Sequence, residues 1–315
     1  MRNYSFDTLK LICAILVIIA HTKQPEYISK FTAPLIYCAV QTFFVISGYF
    51  TYGKINLYNI IHKRIISTTK LFIWSFLLYF LCFILVNGQD SLQHINLLFT
   101  YKFLIFNTVP YGMHLWYIAA YIYILIIMLI VEKYNLYRVL FCLTPILLMC
   151  ALAMGKYSNY IFNYDIETFF SRNFLFTGLP FFTIGMMIKH AQAHLKYKKI
   201  AIAGCLIFHI LGLKESSIPN LGNGDWLLTT IFFSTFILIL FLNIKQSKDN
   251  ILSKTGREDG LYIYIFHFLF VIIYSKIFDK ILPHYYQYFS TILVLTSTLI
   301  LIYTLRKLNI IGRII

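Results

Sequence analysis

The chain has 315 residues, 59% apolar and 12% charged, with a formal net charge of +15. Soluble domains carry about 25% charged residues, so a water-soluble globular fold is excluded and an all-α, polytopic membrane bundle is expected. The 27 basic residues, against 12 acidic, sit in short loops between apolar runs. That pattern reads as membrane orientation and excludes nucleic acid as the partner.

Ten apolar runs approach the roughly 17–25 residues of a membrane span: 6–22, 31–52, 71–88, 114–131, 137–154, 173–188, 200–213, 225–244, 260–275 and 287–305. They are solidly apolar rather than alternating, which argues against strands. The first run lacks a small-residue cleavage site and is expected to remain as a helix. With the N-terminus in the cytoplasm, eighteen Lys and Arg fall on the inner side, eight fall outside, and Lys10 lies within the first run. The bias supports both termini in the cytoplasm and an even helix count, and the expectation is one ten-helix domain over 1–315 in the plasma membrane. Residues 53–69 read as an amphipathic connector at the headgroups. The outer segment 89–113 reads as a re-entrant or interfacial helix, and 155–172 is a second long outer segment. Cys13, Cys38, Cys82, Cys142, Cys150 and Cys205 all lie in apolar runs without a CxxC, so they read as small hydrophobes.

The first run, FDTLKLICAILVIIAHT, holds Asp7, Lys10 and His21. At about 100° per residue, Lys10 and His21 differ by about 20° around the helix and stand about 16 Å apart along it. Asp7 is about 60° from Lys10. The three form one polar stripe on a lipid-soluble helix, and intramembrane polar residues normally face a cavity or partners. Asp7 and Lys10 also fit an interfacial ion pair, and His21 a headgroup-level residue near the outer end. Asp7 and His21 are about 21 Å apart by helix rise, so whatever orients His21 must come from another helix.

The string D-x-x-K-x10-H followed by FFVISGYF at 43–50 resembles the start of the membrane acyltransferase-3 family. MHLWYIAAY at 113–121, FFTIGMMI at 181–188 and YIYIFHFLF at 262–270 resemble later phrases of that family, in order and over nearly the whole chain. Lys10 stands where the family usually has Arg, keeping the charge without the bidentate fork. HKRIISTTK at 62–70 stands where the family often has R-x-x-R, and its spacing differs. The resemblance implies transfer of an acyl group, most often acetyl, to a hydroxyl of a surface glycan or its lipid-linked precursor.

On that basis His21 is the expected general base, supported by Asp7 and Lys10 on the same face. Lys63, Arg64 and Ser47 are expected at the donor, acetyl-CoA or another acyl-CoA, with Lys63 and Arg64 also readable as orientation signal. His114, Trp116 and His267 are expected at the glycan acceptor. Trp116 reads equally as an interfacial anchor, and His267 as a packed, neutral group. Gly48 reads first as a point of close backbone approach. His62, His94, His190, His194, His209 and His284 have no set of partners for a metal site. The expected partners are membrane lipid, acyl-CoA and glycan. The alternative is a transporter or flippase that uses the polar stripe as a pathway.

Overall fold

In lipid a chain must satisfy its backbone hydrogen bonds within each segment, so apolar runs of this length fold as helices. The computed structural model describes residues 3–87, 96–97, 99–191 and 197–309, and among them there is no strand. In chain order the helices are α1 Ser5–His21, α2 Glu26–Thr51, α3 Leu57–Asn87, α4 Tyr101–Leu104, α5 Trp116–Tyr134, α6 Tyr137–Met154 and α7 Ser158–Phe162. There follow α8 Leu179–His190, α9 Lys198–Ser216, α10 Leu228–Asn243, α11 Ile251–Glu258, α12 Gly260–Ile281 and α13 Pro283–Lys307. A π-helical turn, Phe174–Gly178, leads into α8.

Each of the ten expected runs carries a helix. Six are long and apolar enough to cross a bilayer: Glu26–Thr51, Leu57–Leu85, Met113–Tyr134, Tyr137–Met154, Gly260–Phe278 and His284–Lys307. Phe174–His190 and Leu228–Asn243 are apolar but shorter. α1 has 17 residues. α9 carries Lys198, Lys199, Lys214 and Glu215 at its ends. The chain is therefore a multi-pass helical membrane protein, with six helices of full spanning length among the described residues.

Two expectations about connections change. Residues 57–87 form one 31-residue helix, so the predicted headgroup connector is largely the first half of α3. Nothing between Lys63 and Leu71 breaks it, since the stretch lacks Gly and Pro. In the predicted interfacial helix of 89–113, the described part holds 3-10 backbone at 96, 97 and 99, the four-residue α4 and a short 3-10 turn beginning at Met113, and residues 88–95 and 98 lie outside the described residues. So do Arg2, His94, His194, Lys196 and Arg313. All six thiols are free, as expected.

The chain divides into two units. The first comprises residues 1–43, 195–217 and 229–314, and the second residues 44–194 and 218–228.

In the first unit α1 packs on α11, α12 and α13, and α12 packs on α13. Gly256 makes the α1–α11 approach possible: a Cβ there would strike the Asp7 carbonyl. Asn250 starts α11 with a reciprocal cap, its side chain accepting from the Ser253 N–H at 2.9 Å while Ser253 Oγ accepts from the Asn250 N–H at 2.9 Å.

In the second unit the C-terminal half of α2 lies backbone-to-backbone on α8. A Cβ on Gly48 would strike the Phe182 carbonyl, and one on Gly185 the Val45 carbonyl. Small residues allow such approach, and the van der Waals packing that results is a main source of helix association in lipid. Asn173 holds the π turn by accepting from the Leu175 and Phe176 N–H groups, both at 2.9 Å.

Candidate active site

The first-helix stripe resolves into two separate environments within the first unit. At the start of α1, Lys10 Nζ pairs with Asp7 Oδ1 at 3.1 Å. Asp7 is buried while Lys10 stays partly exposed. Tyr4 lies under the Arg257 guanidinium, 5.8 Å from ring to cation. Arg257 in turn pairs with Asp249 at 2.7 Å and Glu258 at 3.3 Å, and Arg306 of α13 with Glu258 at 3.2 Å and Asp259 at 2.7 Å. The Arg257 contact and the Ser253 hydroxyl hold the Asp249 carboxyl below the usual carboxylate range. In the sequence Arg257 and Arg306 count only among the inner-side cations. The signal for the clamp was the run GREDG at 256–260, which sets two acids and an Arg between two glycines.

At the other end of α1 stands His21, partly exposed. Its ring lies 5.5 Å from that of His267, centroid to centroid, and 5.3 Å edge-on from Phe268. His267 is fully buried. Thus two sequence-predicted residues, 246 positions apart, meet. Because Gly256 meets Asp7 and His267 meets His21, α11 and α12 run in the same direction along α1.

His21 meets α12 well before that helix ends. α12 continues from Phe268 to Ile281 beyond the contact, about 21 Å by helix rise. The turn after α1 is tied into the body of α13. Thr22 and Thr291 hydroxyls lie 2.8 Å apart, Gln24 donates to Thr291 at 2.5 Å, and Ser290 donates to the Lys23 carbonyl at 2.6 Å. α1 is simply shorter than the α12–α13 pair, so its last residue sits alongside their interior.

The remaining predicted residues belong to the second unit. Arg64 Nη1 donates to Thr51 Oγ1 at 2.9 Å, and the Tyr121 hydroxyl lies in hydrogen-bonding reach of Arg64 and Ser47. Ser47 and Arg64 are therefore brought together, through two residues that the sequence reading missed. The i,i+4 spacing of Ser47 and Thr51 on one helix face was the available signal. Lys63 is exposed beside them. Lys54 lies near Arg64, and partial burial together with that guanidinium lowers its ammonium pKa. Two cations in one neighbourhood favour a bound anion.

His114 and Trp116 are buried. His114 packs edge-on against Tyr79 at 4.6 Å, and Trp116 lies 6.1 Å from Phe44. Neither presents an open face for stacking. Among the described residues there is no group of three or more His, Cys, Asp or Glu able to hold a metal. His190 instead shares a 3.0 Å hydrogen bond with the Tyr52 hydroxyl.

The five sequence phrases therefore assemble in two sets. FFVISGYF, MHLWYIAAY and FFTIGMMI meet in the second unit through Gly48–Phe182, Ser47–Tyr121 and Phe44–Trp116. The D-x-x-K-x10-H string and YIYIFHFLF meet in the first through His21–His267.

Comparison with known proteins adds the family. A protein of Enterococcus faecalis named "Amino-acid racemase" is 26% identical over 311 residues, which cover 90% of this chain and 43% of that protein. The chain thus spans less than half the length of this curated relative. No solved structure matches. Residues 3–305 match the acyltransferase domain that defines the acyltransferase-3 family, and the chain belongs to that family of membrane acyltransferases.

Proposed function

We propose that the chain moves an acetyl group from cytoplasmic acetyl-CoA to a hydroxyl of a cell-surface polysaccharide or its lipid-linked precursor, in the plasma membrane, with His21 as general base. The observation that carries this reading is an imidazole held at the end of α1, partly exposed, against a second imidazole. Near neutral pH an imidazole can accept a hydroxyl proton and return it.

In the step proposed, His21 takes the proton of the acceptor hydroxyl as its oxygen attacks the thioester carbonyl. The tetrahedral intermediate collapses with cleavage of the C–S bond. The departing thiolate then receives the proton from the His21 imidazolium. Such acid–base catalysis contributes about 10²–10⁴-fold. Arg64 and Lys54, with Lys63 beside them, are the cations proposed for the donor's phosphates, and Ser47, Thr51 and Tyr121 offer neutral hydroxyls around Arg64. Lys10 is assigned to its Asp7 pair. The burial of His114 and Trp116 favours a packing role for both over direct contact with the sugar.

The recess of His21 beside α12 favours an acceptor that can reach along the helices, which suits a lipid-linked chain. The test is the acetyl content of surface glycan in cells carrying wild type or His21→Ala, with membrane abundance matched. Loss of acetyl in the variant supports the reading. Equal acetyl in both removes His21 from the chemistry.

A further inference from the structure

The end of α2 gathers more than the Arg64 cluster. Tyr52 directly follows Thr51, the residue that accepts from Arg64, and its hydroxyl lies 3.0 Å from His190 Nδ1 at the end of α8. The two rings meet edge-on with centroids 5.8 Å apart. Phe141 of α6 backs both, 6.1 Å from His190 and 6.2 Å from Tyr52. Tyr137 stands edge-on to Tyr52 at 5.3 Å. His190 itself is exposed, while Tyr52 and Phe141 are half-buried. An exposed side chain at a helix end ordinarily samples several rotamers. Here a hydrogen bond fixes one ring nitrogen and two aromatic rings brace the imidazole from within. The result is a flat exposed ring held in one orientation, and such preorganisation lowers the cost of binding a flat ligand.

Cations surround this ring. Arg64 and Lys54 share one neighbourhood, and Lys63 is exposed beside them. Lys189, the residue before His190, places Nζ 5.1 Å over the Tyr49 ring. Each helix C-terminus carries about −0.5 charge, so the ends of α2 and α8 together answer about one of these positive charges. Glu132 of α5 accepts from the Tyr137 hydroxyl and answers one more. The neighbourhood stays net positive. A flat ring beside clustered cations is complementary to a purine nucleotide: the base stacks on the ring, as bases do on aromatic side chains, and the phosphates take charge-assisted hydrogen bonds.

We propose that Tyr52, Phe141 and His190 form the base-stacking subsite for the nucleotide end of the acyl donor, with the exposed His190 ring as the platform and Lys54, Arg64 and Lys189 on the phosphates. The identity of the nucleotide, the adenosine bisphosphate half of coenzyme A, rests on the acyl-CoA reading above. The platform and its cations rest on geometry alone. The subsite touches the nucleotide and not the thioester, so it acts on donor affinity and leaves the reacting atoms alone. It lies at the end of the helices that the Lys and Arg distribution assigns to the cytoplasm, the side from which the donor comes.

The test measures binding of adenosine 3′,5′-bisphosphate to the purified full chain in nanodiscs, with inorganic pyrophosphate for comparison, for wild type, His190→Ala and His190→Phe. Matched elution on size exclusion checks that all three are folded. The expected result is nucleotide affinity about 5- to 100-fold weaker in the Ala variant, unchanged pyrophosphate affinity, and recovery to within a few-fold in the Phe variant, which restores a flat ring without the imidazole. In transfer assays the Ala variant raises KM for acetyl-CoA by a similar factor and leaves KM for S-acetyl-N-acetylcysteamine, a thioester without a nucleotide, unchanged. Absence of nucleotide binding by wild type, equal nucleotide binding in all three proteins, or an equal loss of pyrophosphate in the Ala variant overturns the inference. Nucleotide binding that depends on His190 without any acetyl transfer leaves the subsite standing and sinks the acyltransferase reading instead.

Discussion

Gly48 of α2 and Gly185 of α8 seat two helix backbones directly on one another. A Cβ at either would land on a carbonyl of the facing helix, Phe182 or Val45. Backbone cannot swing aside as a side chain can. Gly48→Leu or Gly185→Leu should therefore cost about 1–3 kcal/mol or more, as overpacking does. A thermal-shift measurement by detergent size-exclusion should show lower midpoints for both variants, while Gly53→Ala, where no atom lies within 4 Å but φ is +71°, costs only about 1–2 kcal/mol of backbone strain.

Arg64 touches Thr51 and Tyr121, and as the proposed phosphate ligand it acts on binding rather than on the reacting atoms. Arg64→Ala should raise KM for acetyl-CoA about 10–100-fold, the worth of about 1.5–3 kcal/mol for a charged hydrogen bond, with kcat little changed. Arg64→Lys should recover part of the loss. An equal fall in kcat with unchanged KM would place Arg64 elsewhere in the cycle.

Asp249 gains its shift from Arg257 and Ser253. Its folded pKa lies below the ordinary value of 3.8, so its stabilisation is fully present above that value and fades as pH falls through the folded one. Asp249→Asn should lower the melting midpoint at neutral pH, and the gap to wild type should close on acidification below about pH 4. A gap that persists unchanged in acid would assign the loss to something other than the charge.

Asp7 is buried beside Lys10 at 3.1 Å. Removing one partner strands the other, which costs more than the pair itself is worth. Asp7→Asn should reduce membrane abundance more than the double variant Asp7→Asn/Lys10→Met, measured by immunoblot of isolated membranes.

Helices were legible because apolar runs leave lipid-embedded backbone few alternatives, and all ten runs are helical. Their ends were less so. α3 absorbs a polar stretch that reads as a connector, since Lys63, Arg64 and Lys70 are all good helix formers and polarity alone does not end a helix. α11 was missed because an eight-residue segment carrying Lys254, Arg257 and Glu258 gives no membrane signal, although its Asn250–Ser253 cap and Gly256 are local features. His21 was identified from the stripe on α1, whereas its neighbour His267 depended on tertiary packing across 246 positions. How far α12 and α13 continue past His21 was not legible, because the length of α1 fixes only where α1 itself ends. Tyr121 lacked any charge to mark it and emerges only from its contacts with Arg64 and Ser47, while Thr51 was marked only by its i,i+4 spacing from Ser47.

The most direct test of the central claim is transfer of label from radiolabelled acetyl-CoA into a glycan fraction by the purified chain in proteoliposomes, wild type against His21→Ala. The account predicts acceptor-dependent labelling by wild type and a loss of about 10²-fold or more in the variant, with both proteins equally reconstituted. Labelling that survives intact in His21→Ala would contradict it. So would wild-type protein that consumes no acetyl-CoA yet carries a small solute across the membrane.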